Sequence, residues 1–165
     1  MILFSALPGL EVTRLRKGGR DAYDLPPELR CATEPALPCR HCLRHIPVGR
    51  DYLTLAWRPF PALQPYAETG PIFLCAACER APDSGALPEI LSSPDYILRG
   101  YGADHRIVYG TGRVVATSSL TLRATELLSD EAVAYLHVRS ARNNCYQLRI
   151  DRAEQPLPEE AGRSS

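Results

Sequence analysis

Pro38-Cys39-Arg40-His41-Cys42-Leu43 and Pro71-Ile72-Phe73-Leu74-Cys75-Ala76-Ala77-Cys78 each contain a Cys-x-x-Cys knuckle, and the fold is read outward from them. Four thiols in two such pairs match what a tetrahedral zinc site requires, each short loop supplying two sulfurs about 2.3 Å from one ion. The knuckles lie 32 residues apart, farther than the roughly 15–20 of common zinc ribbons. Tyr52-Leu53-Thr54-Leu55-Ala56-Trp57 fills part of that gap and alternates with period two, which predicts a half-buried strand. Arg58-Pro59-Phe60-Pro61 ends it, because proline has no N–H to give to a ladder. Pro71–Leu74 is a short apolar run feeding directly into Cys75. Antiparallel pairing of these two strands would bring Cys42 and Cys75 to the same end of a hairpin.

Three other readings of the thiols compete with zinc. Free cysteines are often small buried hydrophobes, the ordinary reading for lone Cys31 and Cys145. Thiol–disulfide chemistry uses a Cys-x-x-Cys that opens a helix after a strand, whereas Pro38 and Pro47 bracket the first pair in loop-like sequence. His41 or His45 could also stand in for one cysteine. Zinc held by all or most of Cys39, Cys42, Cys75 and Cys78 is the reading preferred. Four thiolates around Zn²⁺ leave a local charge near −2, and Arg40, His41, Arg44 and Arg80 lie close in sequence to offset it. A closed four-cysteine site is structural and exposes no catalytic water.

The chain has 165 residues, enough for one domain over 1–152 that buries roughly two thirds of its unfolded surface. With 45% apolar residues it reads as globular. The 19 basic residues balance the 19 acidic ones, so no global field draws the chain to nucleic acid or anionic membrane. Arginine dominates the basic residues and Lys17 is the only lysine, a bias that a high-GC genome would produce. The apolar opening Met1–Pro8 is too short for a signal h-region and lacks a basic n-region. No apolar run approaches the roughly 20 residues needed to span a bilayer. The expected compartment is therefore a reducing cytoplasm, where disulfides seldom persist and paired cysteines point to metal or redox chemistry.

Fifteen prolines and eleven glycines, concentrated in the first two thirds, argue against long helices there. Residues 2–6 and 10–16 read as two short strands around the Pro8-Gly9 turn, and 18–38 as a long ordered loop. Asp95–Tyr101, Arg106–Tyr109 and Arg113–Thr117 read as consecutive strands joined at Gly100-Tyr101-Gly102 and Gly110-Thr111-Gly112. One helix is clear, at about 118–128, with Ser118 or Ser119 as cap and Leu120, Ala124, Leu127 and Leu128 as its apolar face. Ala132–Arg139 and Tyr146–Ile150 are the last strands, and residues 153–165 are expected to form a disordered tail.

Tyr135, His137 and Arg139 alternate along one strand and so share a face, as Arg99 and Tyr101 do on an earlier one. If these strands are neighbours, the set could bind a phosphate or carboxylate, with His137 donating or accepting a proton. The ordinary alternative is the solvent-facing side of an antiparallel sheet. Gly110-Thr111-Gly112 lacks the third glycine and following helix of a dinucleotide loop. Nucleophile-elbow, Ser-x-x-Lys, Walker A and His-Glu-x-x-His motifs are all missing from the sequence.

Pro38-Cys39-Arg40-His41-Cys42-Leu43, Arg58-Pro59-Phe60, the string from Pro65 to Phe73 (Pro-Tyr-Ala-Glu-Thr-Gly-Pro-Ile-Phe) and Val133–Arg139 resemble one bacterial family, catalogued as domain of unknown function 1203. The resemblance runs from about Phe4 to Arg152 and implies no biochemical activity. It also implies a His-Ala just after the Gly-Pro-Ile-Phe string, where this chain has Cys75-Ala76. Exchange of His for Cys is natural for a zinc ligand and unnatural for a disulfide or packing thiol. The family places Gly before the cysteine matching Cys145; Asn144 stands there here and also tolerates a left-handed turn.

The expected molecule is a β-rich α+β single domain with a mainly antiparallel sheet, one clear helix and zinc-ribbon-like knuckles around structural Zn²⁺. Its expected function is that of a cytoplasmic zinc-stabilised binding or adaptor protein without catalysis, for a small anionic ligand or a protein partner. The alternatives are an enzyme or anion-ligand sensor built on Arg99, Tyr101, His137 and Arg139, and a thiol redox sensor.

Overall fold

A computed structural model of the chain describes residues 1–153. Along the chain it has β1 (Ile2–Ser5), α1 (Gly9–Arg16), β2 (Glu28–Cys31), β3 (Leu37–Pro38), β4 (His45–Ile46), β5 (Asp51–Trp57) and β6 (Gly70–Cys75). There follow β7 (Asp95–Tyr101), β8 (Arg113–Ala116), α2 (Leu120–Leu128), β9 (Tyr135–Ser140) and β10 (Tyr146–Arg152). The expected tail lies, from residue 154 on, outside the described residues. No helix among the described residues is long and apolar enough to cross a membrane.

The strands form antiparallel sheets, so the fold is the β-rich α+β class expected. A five-stranded sheet runs β1-β10-β9-β7-β8, a three-stranded sheet β2-β5-β6, and β3 pairs with β4 alone. The hairpin expected between the knuckles is present, with Tyr52 opposite Cys75 and Trp57 opposite Gly70.

One face of the five-stranded sheet is apolar and carries α2. Leu120, Ala124, Leu127 and Leu128, the helix face read from the sequence, pack there against Phe4, Leu98, Leu136, Val138, Leu148 and Ile150. A second core lies on the three-stranded sheet, where Val12 and Leu15 of α1 meet Leu53, Leu55, Ile72 and Leu74. Burying side chains of this size contributes about 1.5–3 kcal/mol each.

Residues 10–16 are a helix and not the strand expected. Val12 and Leu15 are buried three apart while Leu10 is 90% exposed, which is helical and not alternating spacing. Pro8 holds the extended conformation ahead of the first turn, and Glu11 pairs with Arg14 across that turn. The stretch 18–38, expected as loop, contains β2, a four-residue edge strand exposed at every position, and the two residues of β3, both too short to stand out among the prolines and charges around them. Arg106–Tyr109 is not a strand: a single bridge joins Ile107 to Tyr101. There Thr111 takes over the role of a partner strand, accepting the Gly100 N–H at 2.9 Å and donating to the Val108 carbonyl at 2.6 Å. A short 3₁₀ turn, Thr117–Ser119, leads into α2, and Ser119 sits at the cap position without a side-chain cap bond. Asn144 adopts the left-handed conformation allowed for it, with φ of 56°.

Candidate metal centre and polar cleft

The first knuckle is the turn between β3 and β4. It is closed by the Leu43 N–H on the Cys39 carbonyl and by the Cys39 N–H on the Arg44 carbonyl, both at 3.0 Å. Leu43 takes a left-handed φ of 55° just after Cys42, where glycine would be unstrained. Its side chain is buried in the main core, and that packing holds the strained residue in place. The second knuckle leaves the end of β6. Cys39 forms a parallel bridge with Phe73, so the two knuckles lie side by side.

The four sulfurs of Cys39, Cys42, Cys75 and Cys78 lie within 4.8 Å of one another, so they can hold a metal ion. Cys39 Sγ is 3.8 Å from Cys78 Sγ, and Cys42 Sγ is 3.9 Å from Cys75 Sγ. A tetrahedron with metal–sulfur bonds of about 2.3 Å has edges of about 3.8 Å, so the donor set fits a tetrahedral thiophilic ion. The backbone N–H of Cys75 also donates to Cys39 Sγ at 3.2 Å. Hydrogen bonds from Cys42, Cys75 and Cys78 hold the Cys39 thiol far below the usual range. In turn, the bonds to Cys39 push Cys75 and Cys78 far above it. Cys39 opposes ionisation of Cys42, but the bonds to Cys75 and Cys78 outweigh it and draw Cys42 down to about 7. Crowding thus favours thiolates at Cys39 and Cys42 and opposes them at Cys75 and Cys78, a conflict that a divalent cation resolves by binding all four as thiolates.

Two arginines answer this charge, and only one was expected. Arg16, at the end of α1, donates to Cys78 Sγ at 3.0 Å and to the Cys75 and Cys78 carbonyls at 2.9 and 3.1 Å. Arg40 is 2% exposed and has its pKa drawn down to about 10 by burial. It donates to the Tyr146 carbonyl at 2.9 Å and the Pro38 carbonyl at 2.7 Å. Arg80, also expected here, bonds instead to the Leu7 and Ala6 carbonyls and to Asp83. His41 Nδ1 lies 3.3 Å from Cys78 Sγ, beside the four sulfurs, and His45 faces Glu89. Arg16 was missed because 10–16 read as a strand.

The expected polar face exists, on the side of the five-stranded sheet opposite α2. Arg99 stands opposite His137 and Tyr101 opposite Tyr135. The face is not solvent-exposed, because Tyr101, Tyr135, His137 and Arg139 are all under 5% exposed. Phe60 packs on Tyr101 and His137 at 5.3 Å, and Glu68 reaches both arginines. Arg99 Nη1 donates to Glu68 Oε1 at 2.8 Å. Arg139 Nη2 lies 2.6 Å from Glu68 Oε2, an ion contact whose N–H is not aimed at the oxygen.

Sequence reasoning missed Tyr146 and Arg149, which share this face. Residues three apart on a regular strand point to opposite faces, but the β9–β10 register shifts between Tyr146 and Leu148. Tyr146 is thereby opposite Arg139, with its ring 5.0 Å from His137, and Arg149 is opposite His137. Arg149 stacks 3.8 Å over Tyr135 and pairs with Asp151. Burial, then Arg139, Arg149, Arg99 and His105, hold the His137 imidazole well below its usual pKa, and it is neutral at pH 7. Tyr135 is pushed up to about 12 by burial, and its hydroxyl meets His105 Nδ1 at 2.9 Å.

Part of this face forms one wall of a cleft of about 750 Å³, lined also by α1 and by residues 56–61. His137, Tyr146, Arg149 and His105 line it, whereas Arg99, Tyr101 and Arg139 do not. A second groove, of about 950 Å³, runs beside Cys42, Cys75 and Cys78.

A family model described as "Protein of unknown function (DUF1203)" matches residues 36–152, a span that holds all four clustered cysteines and the whole polar face. No curated protein and no solved structure matches the chain.

Proposed function

The chain belongs to the DUF1203 family of proteins of unknown function, and we propose that it is a zinc-stabilised binding protein whose metal is structural. The observation that carries this reading is the closed set of four protein sulfurs at tetrahedral spacing. Four thiolates leave no coordination position for water or substrate. The role of the ion is then to join loops that have little core of their own. β3 and β4 are two residues each, and the apolar cluster packed around them has just four buried members, Ala32, Cys39, Ile46 and Cys75. A reducing compartment such as the cytoplasm accords with this reading, since it keeps ligand thiols reduced.

Mass spectrometry of the purified protein under native and denaturing conditions, with elemental analysis, tests the proposal. One zinc per chain is expected, lost together with secondary structure on chelation. Stoichiometric iron, or a metal-free protein with the same fold, would refute it.

A second reading is an anion-binding face formed by Arg99, Tyr101, His137 and Arg139, and the adjacency of these residues on β7 and β9 favours it. Glu68 already occupies both guanidiniums, so an anion must displace that carboxylate. Sulfate binding that strengthens in Glu68→Ala supports this reading, and indifference to the substitution removes it.

A further inference from the structure

The cleft beside His137 has features that the metal site does not account for. His137 is 1% exposed, lines the cleft, and has a buried Nδ1 with no hydrogen-bond partner. Trp57 Nε1 and Arg58 Nε are likewise buried without partners, and both residues line the same cleft. Buried polar groups are rarely left unpaired, so three such nitrogens around one cavity point to a ligand rich in acceptors.

The charges say which kind. Four arginines (Arg14, Arg58, Arg80 and Arg149) line the cleft against three carboxylates, Glu11, Asp21 and Asp151. Arg14 pairs with Glu11, Arg149 with Asp151, and Arg80 with Asp83 just outside. Asp21 is occupied by the backbone N–H groups of Tyr23, Leu25 and Ala56. Arg58 is left with no carboxylate partner among the described residues. A single guanidinium without a carboxylate partner suits a monoanion better than a phosphate dianion, and its fork matches a carboxylate. Trp57, Phe60, Tyr146 and Leu15 supply apolar wall. The volume lies within the roughly 300–1,000 Å³ of small-molecule sites. The β10 bulge is a further sign, since it turns both Tyr146 and Arg149 towards His137, and bulges recur beside functional sites.

We propose that this cleft is the ligand site and takes a small organic monoanion, a carboxylate on an apolar body, with Arg58 as its counter-charge and His137 as a hydrogen-bonding group on its wall. The inference rests on the binding-protein reading above but not on the identity of the metal.

Titration of the metal-loaded protein with benzoate, phenylacetate and hexanoate tests it, followed by calorimetry and by the fluorescence of Trp57, the only tryptophan. Benzamide serves as the neutral counterpart and inorganic phosphate as the dianion. Saturable binding of at least one carboxylate is expected, about tenfold or more weaker for benzamide and in Arg58→Gln. Arg58→Lys, which keeps the charge and loses the fork, should fall between. Failure of all three carboxylates to bind, binding unchanged in Arg58→Gln, or phosphate binding more tightly than the carboxylates would overturn the proposal. Metal content is measured in every variant, so loss of the zinc reading and loss of the ligand site are told apart.

Discussion

The guanidinium of Arg40, in the middle of the first knuckle, donates from Nε to the carbonyl oxygen of Tyr146 on β10. One fully buried side chain thus ties the metal-binding turn to the five-stranded sheet, at the strand end where Tyr146 meets His137. Its other bond, to the Pro38 carbonyl, closes the base of the turn. The metal site and the cleft are therefore mechanically connected.

Arg40→Met should destabilise the protein by about 1–3 kcal/mol, the cost of one buried and one partly buried carbonyl losing a charged donor. Arg40→Lys should recover little of this, because an ammonium does not reproduce the two divergent bonds of the guanidinium. Urea unfolding midpoints decide it, and wild-type stability in Arg40→Lys would refute the geometric account.

Arg16 touches the sulfur cluster and is not a ligand. Arg16→Gln should weaken metal affinity by about 10–100-fold, as loss of an outer-shell partner does, while the loaded protein keeps its fold. Competition with a chromophoric chelator measures the change. Unchanged affinity would mean that the bond to Cys78 Sγ contributes nothing to metal retention.

Glu68 is the shared partner of Arg99 and Arg139, and its replacement leaves a buried guanidinium uncompensated. Glu68→Gln should cost about 1–3 kcal/mol, below the figure for a wholly buried pair because the carboxylate is 37% exposed and partly screened. A double-mutant cycle with Arg139→Met should show positive coupling, and additive effects would argue against the clamp.

His137 gives stability a pH dependence whose sign is fixed. The unfolded imidazole takes up a proton near its ordinary value of about 6.5. Folded His137 does not, being buried and faced by Arg139 on its own strand, Arg149 on β10, Arg99 on β7 and His105 beyond β7. Below about pH 6.5 the unfolded state binds more protons, so stability falls with pH by up to about 1.4 kcal/mol per unit. This contribution is absent at higher pH. His137→Leu should remove that part of the slope, and an unchanged slope would show that His137 titrates normally.

The hairpin between the knuckles, the α2 face and the shared face of Tyr135, His137 and Arg139 were legible because each is a local period or a spacing rule. The pairing that sets Arg99 opposite His137 was only a condition until β7 and β9 were placed. The α1 helix was not legible, because a helix of 8 residues, about two turns, with two buried residues, Val12 and Leu15, resembles broken alternation. The positions of Tyr146 and Arg149 were hidden because a bulge is a defect of register, visible only once β10 is paired with β9. Glu68 lay in plain view within the family-like string from Pro65 to Phe73, but nothing local marks it as the partner of residues about 30 and 70 positions away. The burial of the polar face had the same origin: its cover, Phe60 and Glu68, comes from a loop without periodicity.

X-ray absorption spectroscopy of the purified protein at the zinc edge tests the central claim most directly. Four sulfur neighbours at about 2.3 Å and no nitrogen or oxygen in the first shell are expected, with the signal lost in Cys39→Ser. A shell containing nitrogen from His41, or a folded protein without bound metal, would contradict the account.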